Sequence, residues 1–287
     1  MATFEMVKYH HQTYPADIPL RIEEIAAHFD VQGINPHMGY SLHTEYSYGK
    51  RRFDSALVNK YPELIDAQKD AVPQLWRSEK WAEQFAMFIK SLVGDLNEPK
   101  VIEVHSPFND YTDLPDFISS YAVFEDIIGD KYPETEILIE NRCGSVYRGG
   151  KFLFSKIKDV DLLCDAIYKN GLRLRIAYDI PQIYTAHNVR KSDDYLKLMN
   201  EAVEFRQFIG GVHLWGKRRA DTGRKVSHCG DLSSYFEDDG VKDAFLGCFN
   251  DCFDDGIVRK MVLEVNSGNE DLKSIINDLV SCHVAFR

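Results

Sequence analysis

Residues 136–140 read Glu136-Ile137-Leu138-Ile139-Glu140, and the fold turns on how this stretch is read. Three aliphatic side chains in a row, two of them β-branched, are bounded by carboxylates. A short run without polar alternation suits a strand buried on both faces of a parallel sheet. Four more runs of this kind surround it: Lys100–His105 (KVIEVH), Leu172–Asp179 (LRLRIAYD), Ile209–Leu214 (IGGVHL) and Lys260–Val265 (KMVLEV). Helical patterns separate them. Val160–Lys169 closes on Asn170-Gly171, a C-terminal stop signal. Asp193–Phe208 sets Tyr195, Leu196, Leu198 and Met199 at helical spacing, and Phe236–Phe253 forms a further helical pattern. Strands alternating with helices imply right-handed βαβ units.

In the first hundred residues, Phe4–His10 and Gly33–Met38 read as strands and Arg21–Phe29 as a helix between them. Asp54–Val93 reads as mainly helical, with a break near Pro73. The strand count is then seven, and Val226–Gly230 supplies an eighth. The expected fold is one (β/α)8 TIM barrel over residues 1–287, close to the about 250 residues such barrels commonly need. The alternative is an open doubly wound sheet, whose phosphate-binding glycine fingerprint is missing.

Hydrophobic residues make up 44% and charged residues 28%, an ordinary globular balance. No apolar run approaches the ~18–20 residues of a membrane span. Met1–Glu5 lacks the basic and apolar regions of a secretory signal, so a cytoplasmic location is the default expectation. Cys143, Cys164, Cys229, Cys248, Cys252 and Cys282 form no C-x-x-C pair and are expected to be free, buried thiols. A formal net charge of −11 repels phosphate backbones, which disfavours non-specific nucleic-acid binding.

The chemistry signal lies in where polar residues fall. His105, Glu140, Asp179, His213 and Glu264 each stand at or near the C-terminal end of an apolar run. In a parallel barrel those ends converge on one mouth, where the active sites of this fold are built. Carboxylates sharing a mouth repel one another unless a cation neutralises them. Carboxylates with imidazoles suit Mn²⁺, Mg²⁺, Co²⁺ or Zn²⁺. The plain alternative is that each residue only marks where a strand leaves the core. His228, in the turn Ser227-His228-Cys229-Gly230-Asp231, is a ligand, a substrate contact or a loop histidine. Lys217, Arg218 and Arg219 either hold an anionic or hydroxylated substrate or form a solvated charge run. His187 reads as a loop residue; of His10, His11, His37 and His43, two are compatible with a place facing the mouth, and none is singled out. No serine nucleophile elbow, phosphate loop or H-E-x-x-H motif occurs.

At these residues the sequence resembles the xylose-isomerase-like barrel superfamily. That group includes sugar isomerases and epimerases and the endonuclease IV type of DNA-repair enzyme. The resemblance covers residues 100–267. It is carried by Val104-His105-Ser106-Pro107, Ile139-Glu140-Asn141-Arg142-Cys143-Gly144, Ala177-Tyr178-Asp179, Gly211-Val212-His213-Leu214, Ser227–Asp231 and Leu263-Glu264-Val265. Of these, Ile139–Gly144 is the most specific match. The resemblance implies a divalent metal on Glu140, Asp179, His213 and Glu264, with Glu140 and Glu264 as proton-transferring base and acid. It implies substrate contacts from His105, His228, Arg219, Trp215 and Gln182.

Two departures stand out. Gln182 replaces the histidine usual three residues after the aspartate, and Trp215-Gly216 stand where an aspartate often follows the strand histidine. Fewer histidines favour a sugar or sugar-phosphate isomerase or epimerase over an endonuclease IV-like phosphodiesterase. A degenerate barrel that binds a ligand without turning it over is the non-enzymatic alternative. The expected partner is a polyol or sugar, with no membrane, and assembly into a homo-oligomer is compatible with the sequence.

Overall fold

A computed structural model of the chain describes residues 1–44, 59–68 and 72–287. Eight parallel strands form a closed ring: β1 (Thr3–Lys8), β2 (Leu20–Ala27), β3 (Gly39–Thr44), β4 (Val101–His105), β5 (Glu136–Glu140), β6 (Arg175–Asp179), β7 (Ile209–Leu214) and β8 (Val258–Leu263). Closure comes from pairing of β8 with β1, in which Met6 faces Met261 and Val7 faces Val262. The chain is a TIM barrel. Helices after β3 and each later strand pack their apolar stripes on the outside of the ring. Among the described residues, the connections after β1 and β2 carry no helix.

Three expectations from the sequence are corrected. Arg21–Phe29 is not a helix, because Leu20–Ala27 is strand β2. Ile22, Ile25, Ala26 and Phe29 fall at helical spacing, but parallel pairing to β1 and β3 satisfies the backbone on both sides. Tertiary pairing here overrides a local pattern. Gly33–Met38 is irregular, and β3 begins at Gly39. Val226–Gly230 supplies no barrel strand: Lys225–Ser227 pairs antiparallel with Lys217–Arg219 in a hairpin beside the barrel. Within Asp54–Val93, positions 54–58 and 69–71 lie outside the described residues. The rest contains helices Pro62–Asp66 and Glu79–Val93, with Pro73 in the irregular stretch between them.

The helix patterns hold with shifted ends. Ile157–Asn170 ends at Gly171 in the left-handed conformation, φ 64°. Ser192–Glu201 continues as a 3₁₀ helix over Ala202–Phe208. The Phe236–Phe253 pattern is broken at Glu237, and Asp238 caps the helix Asp239–Phe253 that follows. No helix of the described residues is long and apolar enough to cross a membrane. All six cysteines are free thiols, but only Cys164 and Cys252 are fully buried.

Alternation along the strands stacks the lumen in layers. At the floor, where the strands begin, Lys260 pairs with Glu5 at 2.7 Å and Arg175 with Glu136 at 2.5 Å. The waist is largely apolar: Val7, Tyr9, Ile22 and Val262 form one cluster and Val101, Leu138 and Ala177 another, both separate from the main core. Gly210 and Gly211 make room for Leu138, whose Cδ2 would lie 2.5 Å from a Cβ at position 210. Above the waist, at the C-terminal ends of the strands, nearly every lumen side chain can titrate.

Candidate metal centre

That upper layer draws from seven of the eight strands or the residues just past them. Glu24 comes from β2, His43 from β3, Glu103 and His105 from β4 and Glu140 from β5. Asp179 ends β6, His213 lies on β7, and Glu264 directly follows β8. Asp179 is fully buried, and Glu140, His105 and His213 are each 1% exposed. Asp179 also caps the helix Ile180–Ala186, accepting the Gln182 backbone N–H at 2.9 Å. Its backbone is locked to Asn141, which bonds Asp179 N and O at 2.9 and 3.0 Å.

Two donor groups stand side by side and share one carboxylate. Glu140, Asp179 and His213 offer ligand atoms all within 4.8 Å of one another, and so do His43, His105 and Glu140. Glu264 adjoins the first group, its Oε1 3.3 Å from His213 Nδ1. His213 Nε2 is held 3.0 Å from Glu103, which leaves Nδ1 toward Glu264 without a well-formed hydrogen bond among the described residues. A carboxylate on one imidazole nitrogen with the other nitrogen facing donor atoms is the usual dress of a metal-binding histidine. His43 repeats it, with Nδ1 3.3 Å from Glu24 and Nε2 turned inward.

The second group has a proton problem. His43 Nε2 lies 2.8 Å from His105 Nε2, which lies 3.1 Å from Glu140 Oε2. A proton on His105 Nε2 serves Glu140 but confronts His43 whenever that ring, raised to about 10, carries a proton on both nitrogens. Without a proton on Nε2, the lone pair of His105 faces the carboxylate. A cation in place of the protons satisfies all three atoms at once.

The electrostatics point the same way. Burial, then the negative charges of Glu264 and Glu140, push Asp179 up to about 8. Burial opposes charge on His43, yet Glu24 foremost, then Glu103 and Glu140, raise it to about 10. Burial takes His105 down to about 4 against the pull of Glu140. Burial also works against ionisation of Glu140 and Glu264. The Arg142 guanidinium and His105 hold Glu140 well below the usual carboxylate range, and His213 and His228 do the same for Glu264. Arg142 Nη1 donates to both Glu140 oxygens at 2.8 Å. The donor set fits a divalent cation: hard oxygens and imidazoles converge, and burial with two neighbouring carboxylates raises Asp179 more than His213 lowers it.

The flanking residues expected from the sequence divide. Trp215 donates its indole N–H to Asp179 Oδ2 at 3.1 Å and stacks on His228 with centroids 4.2 Å apart. His228 Nδ1 lies 3.2 Å from Glu264 Oε2, and burial of its ring is outweighed by that carboxylate, which raises its pKa. Gln182 is buried beside Asp179. His105 belongs to the second donor group rather than to the rim. Arg219 stands apart on the hairpin, half-exposed and paired with Glu237 at 2.9 Å. His187 bonds the Ile157 backbone N–H through Nε2 at 3.1 Å and has a structural role. Sequence reasoning missed Glu24, His43, Glu103 and Arg142. A larger cavity of about 610 Å³, lined by Met38, Tyr40, Asn97 and Lys100, opens where β3 and β4 begin, at the end of the barrel away from this chemistry.

No protein-family model and no curated protein matches the chain. Solved structures with a similar course include the xylose isomerase domain protein of Alicyclobacillus acidocaldarius, 12% identical with a TM-score of 0.46 over 98% of each chain. A xylose isomerase domain protein from Planctomyces limnophilus is 11% identical, with a TM-score of 0.44 over 98% of this chain and 94% of that one. PbGH5A, a glycoside hydrolase family 5 enzyme from Prevotella bryantii, is 7% identical, with a TM-score of 0.47 over 98% of this chain and 96% of that one. Likenesses this distant leave the reaction to be argued from the site.

Proposed function

We propose that the barrel mouth is the active site of a divalent-metal-dependent isomerase or epimerase that acts on a hydroxy-aldehyde or hydroxy-ketone of the sugar type. The observation that carries this reading is the convergence of Glu140, Asp179 and His213 within 4.8 Å, with Glu264 against His213. When bound there, the cation polarises a carbonyl and acidifies the neighbouring C–H. Glu140, ending β5, and Glu264, directly after β8, stand apart on the ring as the two carboxylates that a proton transfer at carbon requires. His213 and His228 flank Glu264 and stabilise its charge between transfers. Trp215 walls the site and fixes Asp179, and burial of the whole layer keeps water from the carbanionic carbon. The test is elemental analysis of protein purified without chelator, with an aldose–ketose and epimer panel assayed alongside. About one or more divalent ions per chain, reduced in Glu140→Gln together with turnover, is expected. A content far below one per chain and insensitive to that substitution sinks the idea.

A second reading rests on Glu140 belonging to both donor groups. Glu140, Asp179 and His213 would hold one cation and His43, His105 and Glu140 a second, and such a pair would suit hydrolysis of a phosphodiester. Crystals soaked in Mn²⁺ and measured at its absorption edge separate the readings. One peak beside Asp179 supports isomerisation. Two peaks, with His43 and His105 on the second and metal-dependent nicking of abasic-site duplex DNA lost in Asp179→Asn, replace it with hydrolysis.

A further inference from the structure

Beside the hairpin that follows β7, a pocket of about 200 Å³ adjoins Trp215 through Lys217, whose ammonium meets the indole ring. Tyr184, Thr185, Asn188, Tyr195, Lys217 and Tyr235 line it. The Lys217 ammonium lies 5.3 Å from the Trp215 ring and 5.5 Å from that of Tyr235, held by two aromatic faces. It donates to Thr185 Oγ1 at 2.9 Å. No carboxylate among the described residues pairs with it. Lys225, the other cation on this wall, is committed to Glu237 at 3.2 Å. Its hairpin neighbours Arg218 and Arg219 are likewise bound, to Asp271 at 2.5 Å and Glu237 at 2.9 Å. Lys217 is thus a partly buried positive charge, fixed by rings and a hydroxyl, on which the Asp179 carboxyl acts from a distance while no carboxylate of the described residues touches it. Structural lysines in an acidic protein usually find one, and this chain carries a net charge of −11.

We propose that this pocket is an oxyanion subsite: Lys217, with the Thr185 hydroxyl, binds a terminal phosphate or carboxylate of the substrate whose other end reaches the mouth. The proposal deepens the reading above and rests on it for the substrate's reacting end. Trp215 joins the two places, since its face meets Lys217 while its N–H holds Asp179. The indole is then a spacer that sets the distance between the substrate's anionic tail and its reacting carbon. Neutral sugars leave the ammonium unpaired, so an anionic tail becomes a criterion of selection.

The experiment is calorimetric titration of the full-length protein with inorganic phosphate and, separately, acetate, first after chelator treatment. The variants are Lys217→Met, which keeps the chain over the rings, and Lys217→Arg, which keeps the charge. Melting curves check that both are folded. Saturable binding of one anion is expected, weakened about ten-fold or more in Lys217→Met and retained in Lys217→Arg, and the anion preferred tells phosphate from carboxylate. The result overturns the proposal if neither anion binds saturably, or if Lys217→Met binds like the unaltered protein. It is also overturned if binding needs added Mn²⁺ and disappears in Asp179→Asn but not in Lys217→Met, because the anion then sits on the metal. The chelated arm does not depend on a metal being present, so failure of the metal reading and failure of this one are separately visible.

Discussion

Asp179 carries the clearest consequence at the scale of one residue. Its carboxyl is raised to about 8 by burial and by Glu264 and Glu140, so the folded protein holds that proton more tightly than the unfolded chain does. The stability this contributes is fully present below the ordinary carboxylate value and is lost as pH rises through about 8. His43, raised to about 10, acts in the same direction over a higher range. The depressed value of His105, about 4, has had its effect before neutrality is reached. Chelator-treated protein should therefore lose melting temperature as pH rises from about 7 to about 8, where the Asp179 contribution is exhausted, with a further loss toward about pH 10 from His43. Asp179→Asn should show a shallower fall, and saturating Mn²⁺ should oppose it by replacing the proton with a charge that favours the carboxylate. A melting temperature that is flat or rising over this range in the metal-free protein contradicts the crowding of carboxylates at the mouth.

At the scale of elements, packing of the waist depends on the glycine pair in β7. A Cβ at Gly210 would lie 2.5 Å from Leu138 Cδ2 and 2.8 Å from Glu136 Oε1, so it presses on both the apolar waist and the ionic floor. Gly210→Ala should destabilise the protein by about 1–3 kcal/mol in denaturant unfolding. An unchanged midpoint would mean that the lumen is looser than the contacts indicate. The same strand shows why much of the architecture was legible in advance. Glu136–Glu140 and Ile209–Leu214 matched to the residue because strands buried on both faces leave an uninterrupted apolar run. Leu20–Ala27 was misread because its lumen face carries Glu24 and its apolar residues fall at helical spacing. Such a run becomes a strand only because β1 and β3 lie on either side of it. In the site, Glu140, Asp179 and His213 were legible as polar residues ending apolar runs. His43 was not, because Gly39-Tyr40-Ser41-Leu42-His43-Thr44 has too few aliphatic residues to announce a strand. Glu103 did leave a signal: a carboxylate in the middle of VIEVH must be buried, and a buried charge needs a partner, which His213 provides.

The whole molecule is ordered along one axis, the barrel's own. Ion pairs close one end, Val7, Ile22, Val101, Leu138, Ala177 and Val262 fill the middle, and titratable groups occupy the other end. The outside differs around the ring: β3 and the later strands are followed by helices, while β1 and β2 are not, among the described residues. The solid floor has a kinetic meaning. A lumen blocked at one end has a single door, so product must leave by the route through which substrate arrives, and the two can never occupy the chamber together. Initial rates with added product should then show pure competitive inhibition, with raised KM and unaltered kcat. A mixed pattern would show that product can be held while substrate is bound. A polymer cannot be drawn through such a chamber, so whatever the mouth accepts must enter as a free small molecule or as a single unit held out from a longer chain.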